Sequence, residues 1–104
     1  MKNKKKGTKE FPRISIFKSN KEIYIQIIDD IANKTLVSFS SLKILKKEKE
    51  KKTKIEISKI VGEKIAKIML EKKIKKAFFD RKKYKYHGRI KVLIEYMRKN
   101  GIKI

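Results

Sequence analysis

Arg13-Ile14-Ser15-Ile16-Phe17-Lys18 and Ile23-Tyr24-Ile25-Gln26-Ile27-Ile28 both alternate, with isoleucine at every second position. A period of two is what an extended strand needs to send its aliphatic residues to one face of a sheet. Between the two runs lies Ser19-Asn20-Lys21-Glu22. Ser and Asn side chains hydrogen-bond their own backbone in tight turns, so this segment predicts the turn of an antiparallel hairpin. One face of that hairpin carries Ile14, Ile16, Ile23, Ile25 and Ile27. The other carries Ser15, Phe17, Tyr24 and Gln26.

Working outward, Asp29 to Lys34 predicts a second turn and Thr35 to Ser41 a third strand, with Val37 and Phe39 on one face against Leu36, Ser38 and Ser40 on the other. The result is a meander with one apolar face. Its second face gathers small hydroxyls, an amide and two rings. Two readings stand for that face: a platform for RNA backbone and bases, or a solvent-facing sheet with ordinary cross-strand pairs. Upstream, Pro12 suits the first position of a strand, where its missing N–H costs least. Residues 1–11 are expected to be a flexible basic arm. Lys2, Lys4, Lys5, Lys6 and Lys9 come before any acid, and no apolar periodicity accompanies them. Such an arm either orders along a phosphate backbone or serves as a solubilising tail.

Downstream, Lys43 to Lys54 is so rich in lysine that it reads as an exposed connection with no specific contact. A helix is expected from Thr53 or Lys54 to about Lys72. Ile57, Ile60, Val61, Ile65, Ile68 and Met69 form its buried stripe. Gly62 within the stripe fits a close approach to the sheet. Ile74 to Phe79 is a fourth strand; because a helix precedes it, it joins the sheet parallel to an earlier strand. Ile90, Leu93, Ile94 and Met97 mark a second helix, which Gly101 ends as a C′ residue, and Ile102 and Ile104 tuck against the sheet. The order βββαβα predicts an α/β two-layer sandwich, with two helices on one face of the sheet and the other face open. Residues 12–104 make a single domain.

Composition narrows the chemistry. The formal net charge is +21, from 32 Lys and Arg against 11 Asp and Glu. A chain so charged repels itself when compact and binds polyanions by releasing their counterions. Only Arg13, Arg81, Arg89 and Arg98 are arginines. The pairing of lysine excess with isoleucine excess fits the drift of an AT-rich genome. There is no cysteine and one histidine, which excludes disulfides and thiolate metal sites and disfavours zinc. No cofactor is expected. No apolar run approaches the roughly 20 residues that span a bilayer. Phosphate-binding glycine loops and nucleophile elbows are absent from the sequence. Asp29 and Asp30 point different ways on an extended chain, so they are poor partners for acid–base chemistry. Ribonuclease-H-like nucleases share the strand order but hold metals with an acid on the first strand. That strand here offers Arg13, Ser15 and Lys18, which argues against a two-metal nuclease.

The stretch Asp80-Arg81-Lys82-Lys83-Tyr84-Lys85-Tyr86-His87-Gly88-Arg89 packs two aromatics, the histidine and five cations between the fourth strand and the last helix. Cations for phosphates and rings for unpaired bases make an RNA-binding loop. A solvated connection with its tyrosines folded back on the core is the alternative.

Several of these segments together resemble one family. Residues Pro12 to Asp30 look like the first hairpin of the bacterial large-subunit ribosomal protein L-eighteen family. Lys34-Thr35-Leu36-Val37-Ser38, Val61-Gly62-Glu63, Phe79-Asp80-Arg81, the Tyr84 to Arg89 run and Gly101-Ile102-Lys103 match in the same order. The resemblance covers the chain from about Gly7 onward. It implies a non-enzymatic protein of the bacterial large ribosomal subunit, and so of the cytoplasm. Its implied partners are 5S rRNA, which the family attaches to large-subunit rRNA at the central protuberance, and neighbouring large-subunit proteins. No DNA or membrane partner is implied.

Matched motif positions carry the RNA-contact role to Arg13, Phe17, Ser19, Asn20, Lys21, Tyr24 and Gln26 in the hairpin. Later in the chain they carry it to Ser38, Ser40, Arg81, Tyr84, Tyr86, His87, Gly88 and Arg89. Lys4, Lys5 and Lys6 of the arm, with Lys18 and Lys85, complete the expected RNA-binding set. Three departures stand out. The arm is short and uses lysine, which lacks arginine's bidentate grip on phosphate. Glu22 stands where a His is usual. Lys82 and Lys83 replace a common Gly-Gly, trading backbone freedom for charge. A nonspecific basic polyanion binder remains the rival reading.

Overall fold

The alternating isoleucines form the hairpin. A computed structural model describes residues 6–79 and 88–104. Strand β1 (Arg13–Lys18) runs antiparallel to β2 (Ile23–Asp29), with Ile14 opposite Ile27 and Ile16 opposite Ile25. Strand β3 (Lys34–Ser40) pairs antiparallel with β2 on its far side, and β4 (Phe78–Phe79) pairs parallel with β1. The sheet order is β3-β2-β1-β4. Ser19 closes the hairpin turn as expected: its N–H donates to the Glu22 carbonyl at 2.9 Å, and its Oγ accepts from Glu22 N–H at 3.2 Å.

A 3-10 turn (Ser41–Lys43) and a single helical turn α1 (Lys46–Lys49) follow β3. The two long helices are α2 (Lys54–Glu71) and α3 (Gly88–Lys99). Thr53 starts α2 with a capping box. Its hydroxyl accepts from Glu56 N–H, and the Glu56 carboxylate accepts from Thr53 N–H. Two of the unpaired backbone donors at the helix start are thereby satisfied. Helices α2 and α3 cover the isoleucine face of the sheet, giving one core built from Ile14, Ile25, Ile27, Ile65, Met69 and Leu93 among others. This is the two-layer α/β sandwich the alternation predicted.

The structure departs from the sequence reading in several places. Leu36, expected on the polar face, packs against the core. A register shift places Ile27 opposite Val37 but Ile28 opposite Thr35, so Leu36 is the extra residue of a β-bulge, where strict alternation fails. Strand β4 is two residues long, not six. Ala77 N–H donates to the Lys103 carbonyl and Lys103 N–H to the Lys75 carbonyl, so the segment before β4 pairs with the chain's last residues instead of β1.

The buried stripe of α2 is also rotated from the expected one. Ser58, Gly62 and Ala66 are buried, whereas Ile57, Ile60 and Ile68 are only partly covered. Spaced by four, these three small residues form a ridge that lets α3 approach. A Cβ built on Gly62 would lie 2.5 Å from the Leu93 carbonyl oxygen and 3.0 Å from Tyr96 Cβ. The close approach is to α3, not to the sheet. Finally, the stretch from Gly7 to Phe11, read as part of the arm, is fastened down. Gly7 N–H donates to Asp30 Oδ2 at 2.7 Å, Asp30 N–H to the Gly7 carbonyl at 2.8 Å, and Phe11 N–H to Thr8 Oγ1 at 3.0 Å.

Candidate nucleic-acid interface

The sheet face away from the helices is ordered in cross-strand rows. Phe17 lies opposite Tyr24, and Tyr24 opposite Ser40; Ser15 lies opposite Gln26, and Gln26 opposite Ser38. The Phe17 and Tyr24 rings stack, with centroids 6.2 Å apart and planes 26° from parallel, and Phe17 is 43% exposed. Gln26 Nε2 donates to the Tyr24 hydroxyl at 3.2 Å, holding that ring against its neighbour. A ring pair bordered by hydroxyls and an amide offers both a stacking surface and hydrogen-bonding groups.

Some expected contact residues have structural duties. Ser40 is 8% exposed, and its Oγ accepts from Leu42 N–H at 3.1 Å, capping the 3-10 turn. Arg13 makes a two-pronged pair with Asp30, Nε to Oδ2 and Nη2 to Oδ1, each at 2.9 Å. Arg89, at the start of α3, donates from Nη2 to the Ser19 carbonyl at 2.8 Å, and Lys54 Nζ donates to Asn20 Oδ1 at 3.2 Å. The hairpin tip is thus tied to the first turns of both long helices. Lys6, Lys18 and Lys21 are exposed. Gly88 opens α3 at φ +59, with open space where a Cβ would sit. That left-handed conformation favours glycine. Lys4, Lys5, Arg81, Tyr84, Lys85, Tyr86 and His87 lie outside the described residues.

Sequence reading passed over the lysine run between β3 and α2. Lys49 Nζ contacts both carboxylate oxygens of Glu22 at 3.1 Å, so that run does make a specific contact. Glu22 also accepts from the Ser41 hydroxyl, whose oxygen in turn accepts from Ile23 N–H at 2.9 Å. The only hint in the sequence was an acid at the end of a turn otherwise flanked by lysine.

These contacts make specific carboxylates unusually acidic. The Arg13 hydrogen bonds hold Asp30 below its usual value of 3.8, with help from Gly7 N–H and from the charges of Arg13 and Lys6, against a desolvation cost. The Ser41 hydroxyl, seconded by Lys49, holds Glu22 below its usual 4.5. A carboxylate with a depressed folded-state pKa adds stability above its unfolded pKa and loses it as pH falls through the folded value. Stability is therefore expected to be flat from pH 7 to about 5 and to drop below about 4. Asp30→Asn should remove part of that drop, which acid-titrated circular dichroism would reveal. An unchanged acid midpoint in Asp30→Asn would exclude the pair as its source.

A strongly basic α/β sandwich with a ring-bearing polar sheet face has the build of a nucleic-acid-binding structural protein. The family model for ribosomal L18 of archaea, bacteria, mitochondria and chloroplast matches residues 1–104, and the chain belongs to this family of ribosomal proteins, which are not enzymes. Among similar proteins, the large ribosomal subunit protein uL18 of Thermotoga petrophila is 53% identical over 97 residues, covering 92% of this chain and 80% of the relative. That of Porphyromonas gingivalis is 50% identical over 97 residues, covering 93% and 82%. That of Pediococcus pentosaceus is 46% identical over 103 residues, covering 99% and 85%. Among the described residues no helix is long and apolar enough to cross a membrane, and no cluster of three or more His, Asp or Glu could hold a metal ion.

Proposed function

We propose that this protein is a structural constituent of the bacterial large ribosomal subunit, working in the cytoplasm. In this reading it binds 5S rRNA and helps attach it to large-subunit rRNA at the central protuberance, next to other large-subunit proteins. The observation that carries the reading is the stacked Phe17–Tyr24 pair on a hydroxyl-bordered sheet face of a chain with net charge +21. Lysines and arginines draw in the phosphates; the rings and the hydroxyl and amide groups then select folded RNA by shape and stacking. Residues 12–104, with the Gly7 to Phe11 stretch fastened onto them, act as one RNA-binding domain, and the lysines that precede Gly7 add phosphate contacts.

A competition titration tests this. Labelled 5S rRNA is displaced by unlabelled 5S rRNA or by a scrambled RNA of equal length, at two salt concentrations. 5S rRNA is expected to compete far better, and the preference to survive the higher salt. Tyr24→Ala should weaken 5S binding by about 1–3 kcal/mol, the range for one stacked base. Arg89→Ala should weaken it too while leaving the fold intact, since it removes one exposed hydrogen bond and no core atom. Equal competition by both RNAs would leave a nonspecific polyanion binder as the correct description.

A further inference from the structure

We propose that the groove between the hairpin tip and the start of α2 docks an acidic, amphipathic peptide segment of a partner protein. The groove encloses about 460 Å³. Its floor is aliphatic, formed by the buried Ile23 and Ile44 and the half-buried Ile57, and Lys46, Lys52 and Lys54 make its lining cationic, joined on the hairpin side by Lys21 and Arg89, which the proposed function gives to RNA. Of the two acids that line it, Glu22 is already neutralised by Lys49, which leaves Glu50 alone against the rim.

The floor distinguishes this groove from the sheet face. An unpaired base is held by stacking on a ring and by hydrogen bonds to its edges. Isoleucine and leucine floor atoms supply neither. They do supply a site for aliphatic side chains, and the lysines around them supply partners for carboxylates. At the edge of the groove, Leu42 lines it while staying 70% exposed, and Leu45, next after the floor residue Ile44, is 72% exposed. Two protruding leucines three residues apart beside a hydrophobic cleft form the kind of apolar patch that protein partners cover. Glutamates or aspartates on one face of a segment and leucines or isoleucines on the other would match rim and floor together.

The test uses the full-length protein and a fluorescent peptide with glutamates on one face and leucines on the other. The comparison peptide has the same charge with serine in place of leucine. The leucine peptide is expected to bind about tenfold more tightly than the serine peptide. The double variant Leu42→Ser/Leu45→Ser, altered only at exposed positions, should lose that preference while its 5S rRNA affinity stays within about twofold. Equal binding of the two peptides would overturn the proposal, because charge alone would then explain it. So would a parallel loss of rRNA affinity in the double variant, which would make the groove part of the RNA surface.

Discussion

Gly62→Ala should lower the stability of the protein by about 1–3 kcal/mol, the usual cost of forcing extra atoms into a packed interface. Helix propensity alone predicts the opposite, a gain of about 1 kcal/mol from replacing glycine in the middle of a helix. The geometry decides between them. The new methyl would press on the Leu93 carbonyl oxygen at 2.5 Å, and a backbone atom cannot rotate away as a side chain can. The helices would have to separate, loosening Leu93 and Met97, which are fully buried. Urea unfolding of Gly62→Ala, beside the exposed control Lys67→Ala, measures the effect. A stabilised Gly62→Ala would mean that α2 and α3 have room to spare, and the ridge of small residues would lose its explanation.

The second large effect is expected at Ile25. It is fully buried in β2, opposite Ile16 on one side and Phe39 on the other. Ile25→Ala removes aliphatic contacts from the middle of the core and should cost about 2–5 kcal/mol. Total stability for a domain of this size is only about 5–15 kcal/mol, so the variant is expected to sit near its unfolding threshold at 37 °C. Its flanking residues Tyr24 and Gln26 face the opposite side of the sheet. The molecules that remain folded should therefore keep wild-type affinity for 5S rRNA, whereas Tyr24→Ala should do the reverse, weakening binding and sparing the fold. If Ile25→Ala impaired binding in proportion to Tyr24→Ala at full folding, the two faces of β2 would not be separable in function.

The hairpin was legible because each isoleucine repeats a single choice, inward at every second position, and nothing distant is needed to interpret it. The same holds for Ile90, Leu93, Ile94 and Met97, all buried in α3 as their spacing foretold. Ser58 and Ala66 were not legible, and Gly62 was read as a close approach but to the sheet instead of α3. A search for apolar periodicity gives no weight to small residues, although small size is what a helix crossing requires. Leu36 was misplaced because a bulge adds a residue without leaving a mark in composition. The β1 and β2 part of the candidate sheet face was readable, since it is the complement of the isoleucine pattern; on β3 the bulge at Leu36 and the buried Ser40 broke that complement. The groove at the hairpin tip was not: Lys54 and Arg89 reach it from 34 and 70 residues beyond their hydrogen-bond partners.

The placement of the acids has a consequence for how this molecule exists in solution. Glu22, Asp29, Asp30 and Glu56 accept hydrogen bonds from the chain itself and act as clasps at turns and helix ends. They are committed to architecture, and even with all 11 acids counted the chain carries +21, so the lysines spread over the rest of the surface stay in large excess. The free protein is therefore a polyelectrolyte whose neutrality is supplied from outside, by a diffuse cloud of small anions. A macromolecular anion that replaces this cloud returns those ions to bulk water, and by mass action it also favours the folded chain. Dissolved salt and bound RNA then act as interchangeable remedies for one internal repulsion. Each reduces the benefit the other can bring, so the protein alone in dilute buffer is the least settled form of this fold.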